Sequence, residues 1–294
     1  MPSQPIWATS RLWPAFPVSS SRGPLTRLFG TSLPPYRSPC AHWVSIFDLL
    51  KRRDVGSLSQ HQGSISSLVF AGTTHLLSGG EDGRIALFRC KDWECLHILR
   101  HKKPIQALAV HPSGKLALSV GTERSLKLWN LMTGKQAHSA TLPAEPLRMV
   151  FSASGKYYAI LYVHTGSTSK VLVYATGTST VVLEFSQATR LATIAFLRDD
   201  YLFVAGEGTV VQIINIVASI ASQPPSPHLS SLETDQKPRI KDLAIISAST
   251  MDILFTGSSS GVIKAWSWSP DTAKELFSHD SGIRITCLTA TTAQ

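Results

Sequence analysis

The chain has 294 residues, of which 43% are hydrophobic and 16% are charged, so it is long enough to bury a sizeable core. Its formal net charge of +9 and its pI of about 9.5 favour an anionic partner such as RNA. No apolar run approaches the ~20 residues of a membrane-spanning helix. The longest candidate, 210–220, is interrupted by Gln212, Asn215 and Ser219.

Residues 1–43 differ from the rest of the chain, with eight prolines, four arginines and no acidic residue. Proline removes backbone donors and fixes φ, so the composition predicts a disordered segment that builds neither a regular sheet nor a long helix. An organelle transit peptide is the alternative, because such peptides are rich in Arg and Ser and poor in acidic residues. The proline density does not suit an amphipathic presequence helix, which disfavours a mitochondrial location.

From residue 44 onwards the chain is repetitive. Residues 45–49 resemble a third strand and 55–58 an outer strand, so the first unit lacks its beginning. The clearest unit spans 101–131 and holds three strand-like runs, separated by turns that contain Pro112, Gly114 and Gly121. The same three runs recur with a period of about 40–45 residues, the spacing of a four-stranded propeller blade. The recurring units are 61–88, 101–131, 147–174, 191–215 and 240–266.

Equivalent positions in these units carry similar side chains. The third run ends on a ring in four units, at Phe88, Trp129, Tyr174 and Trp266, and on Ile214 in the other. A fainter outer strand follows the third run, and its predicted positions are 93–99, 136–142, 180–185 and 274–277.

Polar residues at fixed places complete the pattern. In typical WD40 blades a His, a Ser or Thr, an Asp and a Trp form a buried hydrogen-bond chain. His101, Ser119, Glu123 and Trp129 occupy those places here, while His61, Ser78 and Asp82 match in the preceding unit, where Phe88 has no N–H to donate. The chain therefore resembles a WD40 protein, which implies an all-β propeller. Because buried polar groups need partners, we interpret these residues and Trp266 as structural.

The repeats predict a WD40 β-propeller over 44–290, with about five complete blades plus partial ones, and a short tail at 291–294. A last strand at 285–288 is expected at the position that normally closes a propeller. The insertion at 217–238 is predicted to be a loop, because Pro224, Pro225 and Pro227 interrupt it. The Ser226-Pro227 pair is either a phosphorylation site or a chance dipeptide.

Signatures of catalysis are missing from the sequence. There is no Gly-rich phosphate loop, no nucleophile elbow and no metal-spaced His/Cys cluster. The run His279-Asp280-Ser281 has the residue types of a hydrolase, but adjacent residues do not make a triad, and a turn is expected there. The cysteines, Cys40, Cys90, Cys95 and Cys287, follow no zinc or disulfide spacing and are expected to be reduced. We therefore predict a protein that is not an enzyme, with no catalytic, metal or cofactor site and no small-molecule substrate.

Several runs resemble one WD40 family more closely than WD40 proteins in general. These runs are 93–96, 111–122, 129–131, 258–266 and 284–288, and the resemblance covers 44–288. The family comprises the PAK-interacting WD40 proteins, animal relatives of a yeast factor for large ribosomal subunit assembly. The resemblance implies a seven-bladed ring and a scaffold in the nucleus and nucleolus that docks assembly factors, and rRNA, on pre-60S particles. The alternative it implies is negative regulation of p21-activated protein kinase through the kinase regulatory region, with a cytoplasmic location.

Two features of that family have no counterpart here, namely a further N-terminal blade region and a Lys-rich C-terminal tail. A shortened isoform or a partial gene model would explain both, and ring closure depends on the first. For partner contacts we predict Arg84, Arg124 and Lys264, which lie near blade turns. The alternative is that each is a solvated strand end.

Overall fold

The computed structural model describes residues 27–30, 43–48, 53–163, 168–222, 226–247, 251–285 and 287–288. The predicted tail at 291–294 and most of the segment 1–43, with its transit-peptide alternative, lie outside these residues. No helix within the described ranges is long and apolar enough to cross a membrane.

Among the described residues, five antiparallel sheets have four strands each and one has three. The three-stranded sheet consists of β1 (Arg27–Gly30), β2 (Val44–Asp48) and β3 (Arg53–Leu58). We name the others blades A to E. Blade A contains β4 (Ile65–Ala71), β5 (His75–Gly80), β6 (Arg84–Arg89) and β7 (Cys95–Arg100). Blade B contains β8 (Ile105–Val110), β9 (Leu116–Gly121), β10 (Ser125–Asn130) and β11 (Lys135–Thr141).

The remaining blades have the same up-and-down order. Blade C contains β12 (Glu145–Phe151), β13 (Tyr157–Val163), β14 (Ser169–Ala175) and β15 (Val181–Gln187). Blade D contains β16 (Leu191–Leu197), β17 (Tyr201–Gly206), β18 (Val210–Asn215) and β19 (His228–Glu233), with helix α1 (Ile216–Ala221) before its last strand. Blade E contains β20 (Ile240–Ser247), β21 (Asp252–Ser258), β22 (Val262–Trp268) and β23 (Ala273–Asp280).

The blades pack side by side as in a β-propeller. The first strand of each blade contacts the first strand of the next, from β4 through β8, β12 and β16 to β20. Each large apolar cluster lies between two consecutive sheets; Leu77 and Ile85 of blade A, for example, pack in one cluster with Trp129 of blade B. The all-β WD40 propeller class is therefore confirmed.

The predicted blade register is also confirmed. The side chain that ends the third run lies opposite the second strand at the same repeat position in every blade. The pairs are Leu76 with Phe88, Ala117 with Trp129, Tyr158 with Tyr174, Leu202 with Ile214 and Leu254 with Trp266. Period-2 alternation selects this register, because a shift of one residue would turn every buried side chain to the other face.

Two segments that the sequence predicts to lack regular structure contain strands. Strand β1 lies inside the segment 1–43 and pairs with β2, which follows that segment, so the expectation that the segment forms no sheet is wrong for the four residues of β1. No proline lies between Pro24 and Pro34, so the backbone donors that a strand needs are present there. The insertion 217–238 is likewise not simply a loop, because it contains most of α1 and all of β19. Asn215 caps α1 by accepting a hydrogen bond from the Ala218 amide at 2.9 Å.

The last described residues occupy the place that the first strand of a blade, its inner strand, occupies elsewhere, but they do not form a strand. No strand is assigned at the described residues of 285–288, contrary to the prediction. Ile285 is nevertheless buried beside Gly257, as Ile105 of blade B lies beside Gly79 of blade A. The Leu288 amide donates to the Asp242 carboxylate at 2.8 Å. Side-chain packing and a hydrogen bond to a side chain hold this segment against blade E in place of a backbone ladder.

The turn predicted at residues 279–281 also needs correction. His279 and Asp280 are the last residues of β23, paired with Ile263 and Val262. The turn expected over 279–281 therefore begins only at Ser281. The pairing leaves the three residues in a strand end and its following turn, where adjacent positions do not converge on one point.

Candidate functional site

The polar residues predicted in blade B form one buried chain of hydrogen bonds. Trp129 Nε1 donates to Ser119 Oγ at 2.7 Å, and Ser119 Oγ lies 2.6 Å from His101 Nε2. On the other side of the ring, His101 Nδ1 lies 3.2 Å from Ser125 Oγ, which donates to Glu123 Oε1 at 2.8 Å. Every member of the chain has a partner if Ser119 donates to Nε2 and Nδ1 carries the imidazole proton. The replacement of Asp by Glu is accommodated through Ser125, which the sequence pattern did not include.

This environment keeps the His101 ring neutral. Burial lowers the pKa of His101 from 6.5 to about 4, and the positive charge of Lys127 acts in the same direction, against the opposing effect of Glu123. A neutral imidazole accepts on one nitrogen and donates on the other, as the chain requires. In this geometry the hydrogen-bonding groups of these residues are directed at each other inside the blade.

Blade A has a shorter version of the chain. His61 Nε2 lies 2.7 Å from Ser78 Oγ, and His61 Nδ1 lies 3.1 Å from Asp82 Oδ1. Burial of the Asp82 carboxyl opposes its ionisation, but hydrogen bonds from the Gln62 and Arg84 amides and from His61 together lower its pKa. Phe88 stands at the Trp position and is buried without a donor, so the chain ends at Ser78. The predicted interaction of His61, Ser78 and Asp82 is therefore present.

The other blades satisfy the same positions differently. In blade E, Trp266 Nε1 donates to Thr256 Oγ1 at 3.1 Å, and Gln236 takes the histidine position, four residues before the inner strand. Gln236 Nε2 donates to the carbonyls of Thr256 at 3.2 Å and Val262 at 2.9 Å. In blades C and D the Ser position holds Ile160 and Val204. The sequence reading missed Gln236, although its spacing from Ile240 equals that of His101 from Ile105.

The structure places the three predicted partner-contacting residues on three different blades. Arg84 is half-buried beside Asp82, with a 3.9 Å separation between Nε and Oδ2. Arg124 is exposed in the turn between β9 and β10, at a φ of 56°. Lys264 lies within β22, where its Nζ donates to Glu275 at 2.7 Å and stands 5.4 Å from the centre of the Trp266 ring. They do not form one site, and their contact with partners stays a prediction.

A different set of residues marks the edge of the propeller. In blades A, B, D and E the residue before the first strand accepts a backbone hydrogen bond from the turn between the second and third strands of its blade. The bonds run to the carbonyls of Ser64 (2.8 Å), Pro104 (3.0 Å), Arg190 (2.8 Å) and Arg239 (3.1 Å) from the amides of Glu81, Thr122, Glu207 and Ser259. We call this repeat position the rim position. Arg284 also holds it, because it precedes Ile285, the counterpart of Ile105.

Arginine therefore occupies the rim position in three consecutive repeats. An open cavity of about 500 Å³ lies between blades D and E, lined by Glu207, Pro238, Arg239, Ser259 and Arg284. Burial lowers the pKa of Lys241, and the charges of Arg239, Arg284, Arg148 and Arg190 lower it further. We refer to Arg148, Arg190, Arg239, Lys241 and Arg284 as the basic rim. The sequence analysis missed it, although an arginine directly before the first strand in two repeats (Arg190 and Arg239), and again before Ile285 (Arg284), was a visible signal.

Metal chemistry has no visible site in the part of the chain that the structure describes. No group of three or more His, Cys, Asp or Glu side chains there is arranged to hold a metal ion. The two buried histidines, His61 and His101, belong to the hydrogen-bond chains, and the arginines of the rim offer donors only. The arrangement can bind and position a partner.

Comparison with known proteins yields one family model and several relatives. The model described as "WD domain, G-beta repeat" matches residues 52–89 and 93–130. A chicken p21-activated protein kinase-interacting protein 1-like is 35% identical over 76% of this chain, and its frog counterpart (Xenopus laevis) is 33% identical over 84%. Protein MAK11 of Saccharomyces cerevisiae is 30% identical, over 84% of this chain and 67% of its own length. The chain spans 57% of the chicken relative and 66% of the frog relative.

Proposed function

We propose that this chain is a docking scaffold on pre-60S ribosomal particles. The premise is its family: the chain belongs to the WD40 family of the p21-activated protein kinase-interacting proteins and MAK11. A role as a WD40 interaction scaffold is supported by the propeller fold and by the names of the relatives. Docking of large-subunit assembly factors and rRNA follows from the resemblance of 44–288 to that family. We also propose a nuclear and nucleolar location, with the cytoplasm as the alternative.

The observation that carries the scaffold function is the internal use of the conspicuous polar residues. His61, His101 and Ser119 are buried and bonded to other side chains of their own blades. The charged side chains at the surface lie on strands such as β14 and β22 and on the turns between strands. Such a protein acts by holding partners on its faces, with no chemistry of its own. The net charge of +9 supports a partner particle rich in phosphate.

The experiment is sucrose-gradient sedimentation of the tagged full chain from cell extract at physiological salt, with and without RNase. We expect the protein to sediment with large-subunit precursors and to move to light fractions after RNase. Trp129→Ala, which empties a core site, is the control for a defective propeller. Wild-type protein found only in light fractions, while still folded and soluble, would exclude the ribosomal role.

Kinase regulation is the second candidate, and the names of the relatives favour it. Besides the chicken protein, Shk1 kinase-binding protein 15 of Schizosaccharomyces pombe is 38% identical over 26% of this chain. We propose that the chain occupies the regulatory region of a p21-activated protein kinase and lowers its activity. The test is direct inhibition of the purified kinase by the purified chain. Equal inhibition of a kinase that lacks its regulatory region would contradict this mechanism.

A further inference from the structure

The basic rim carries positive charges that no ion pair between described residues neutralises. Elsewhere on the surface, arginine and lysine side chains form ion pairs with carboxylates, as in the pairs Arg198–Asp252, Lys170–Glu184 and Lys264–Glu275. None of the ion pairs in the described part of the chain includes a basic rim residue. Like charges collected on one edge raise the energy of that edge, and an anion bound there would lower it.

The backbone beneath the rim is held in place before any ligand binds. The Arg190 carbonyl accepts from the Glu207 amide, and the Arg239 carbonyl accepts from the Ser259 amide. Arg239 also forms backbone bridges with Glu207 and Gly208, which join blade D to blade E. Gly206 lies so close to this turn that a Cβ atom there would stand 2.2 Å from the Arg190 carbonyl oxygen. The backbone of this site therefore loses little conformational entropy on binding.

The lining of the cavity indicates which anion fits. Two arginines, Arg239 and Arg284, face it together with the carboxylate residue Glu207 and the hydroxyl residue Ser259. Guanidinium groups bind carboxylates and phosphates in a bidentate manner. With a second negative charge and three acceptor oxygens, a phosphoserine can engage more of the surrounding cations at once than a carboxylate can. The volume of about 500 Å³ accepts a side chain and its flanking backbone.

The same lining argues against single-stranded nucleic acid as the specific ligand. Proteins that hold unpaired bases stack them on aromatic side chains. The residues that line the cavity are Glu207, Pro238, Arg239, Ser259 and Arg284, and none of these is aromatic. Duplex phosphates run along an open surface, whereas this site is concave and bounded by turns of two blades.

From this geometry we propose that the cavity between blades D and E binds a phosphorylated serine or threonine of a partner polypeptide, held by Arg239 and Arg284 within the basic rim. The inference deepens the proposed scaffold function, on which it rests, by naming the chemistry of one partner. Binding couples the scaffold to a kinase that modifies that partner, since the unphosphorylated segment lacks the charge that the rim requires.

The test measures fluorescence anisotropy of a short fluorescein-labelled Gly/Ser peptide with one phosphoserine, titrated with the purified full chain. The unphosphorylated peptide and a short oligouridine are titrated in parallel. We expect saturable binding of the phosphopeptide and little binding of the other two. Loss of one bidentate contact in Arg239→Gln or Arg284→Gln should weaken binding about 10-fold to 100-fold.

Arg100→Gln is the matched control, because it removes the same charge from the exposed end of β7 in blade A. We expect it to change the affinity by less than about twofold, as screened distant charges contribute little. Melting temperatures of all variants check that the fold persists. Phosphopeptide affinity that Arg239→Gln and Arg284→Gln leave unchanged, or oligouridine binding at least as tight and equally sensitive to them, would overturn the proposal.

This outcome is separable from that of the sedimentation experiment. A chain that sediments with large-subunit precursors but does not bind the phosphopeptide would refute the phosphate site and leave the scaffold role intact. A chain that binds the phosphopeptide through the rim arginines but stays in light fractions would refute the ribosomal role and leave the site intact.

Discussion

Blades A and B differ from blades D and E in where they keep their polar and charged groups. In blades A and B the interior holds a buried histidine bonded to a serine, and the rim position is neutral, with Ser64 and Pro104. In blade D the positions equivalent to Ser119 and Trp129 are apolar, with Val204 and Ile214, and in blade E Gln236 replaces the histidine. The rim position there is arginine.

The difference teaches that one repeat geometry separates stability from recognition. Interior positions are buried, so a polar group there must find a partner within the protein. Rim positions hold the backbone by the same hydrogen bond whatever the side chain, so the side chain is free to serve a ligand. The family model matches 52–89 and 93–130, which include both His–Ser chains, so the recognised signature reports interior architecture.

The largest expected effect comes from breaking the interior of blade B. Trp129→Ala should lower the free energy of unfolding by about 3–5 kcal/mol, because it empties a core aromatic site. Trp129→Phe keeps the ring and removes only the donor to Ser119, so about 1–3 kcal/mol is expected. Urea denaturation measures both. A Trp129→Ala protein as stable as wild type would mean that the interior of blade B does not stabilise the propeller as we describe.

Lowering the pH should also destabilise the interior of blade B, through the protonation of His101. Its pKa in the folded chain, about 4, lies below the ordinary 6.5, so the unfolded chain takes up the proton first as the pH falls. The contribution of the neutral His101 ring to the free energy of unfolding is therefore fully present above about pH 6.5. It is lost between pH 6.5 and pH 4, a loss on the order of 3 kcal/mol. Urea denaturation at neutral pH and at about pH 4.5 measures it.

A matched pair of variants isolates this histidine. His101→Gln installs the side chain that blade E uses at the same position, so the variant should lose much less stability between the two pH values. His138→Gln removes an exposed histidine of β11 and should leave the acid loss unchanged. Equal acid sensitivity in His101→Gln and wild type would assign the effect to other groups.

The smallest effect is expected at the rim. Arg190→Gln and Arg239→Gln should change the free energy of unfolding by less than about 0.5 kcal/mol, because surface side chains without a carboxylate partner contribute little to stability. Removing mutual repulsion gives the change a stabilising sign. Losses comparable to those at Trp129 would show that the rim is part of the structural framework and would erase the contrast between the two regions.

Most of the fold was predictable from local patterns. The blade register followed from alternation and from the rings at Phe88, Trp129, Tyr174 and Trp266, and the pairing of strands confirms it. The partners of His61 and His101 were predictable because each blade forms its chain within about 30 residues of sequence. Strand β1, helix α1 and strand β19 were not, since proline content outweighed the short runs between prolines.

The sequence by itself determined the repeat, the WD40 class and the residues whose side chains bond to each other inside a blade. These features depend on period-2 alternation and on contacts within one sheet. Only the tertiary structure decided that Arg190, Arg239 and Arg284 share one edge. It also decided that Arg239 and Arg284 face one cavity and that Ile285 and Leu288 dock on blade E. The physical reason is that residues about one blade apart in sequence become neighbours only through radial packing of the sheets. That packing is a property of the assembled propeller.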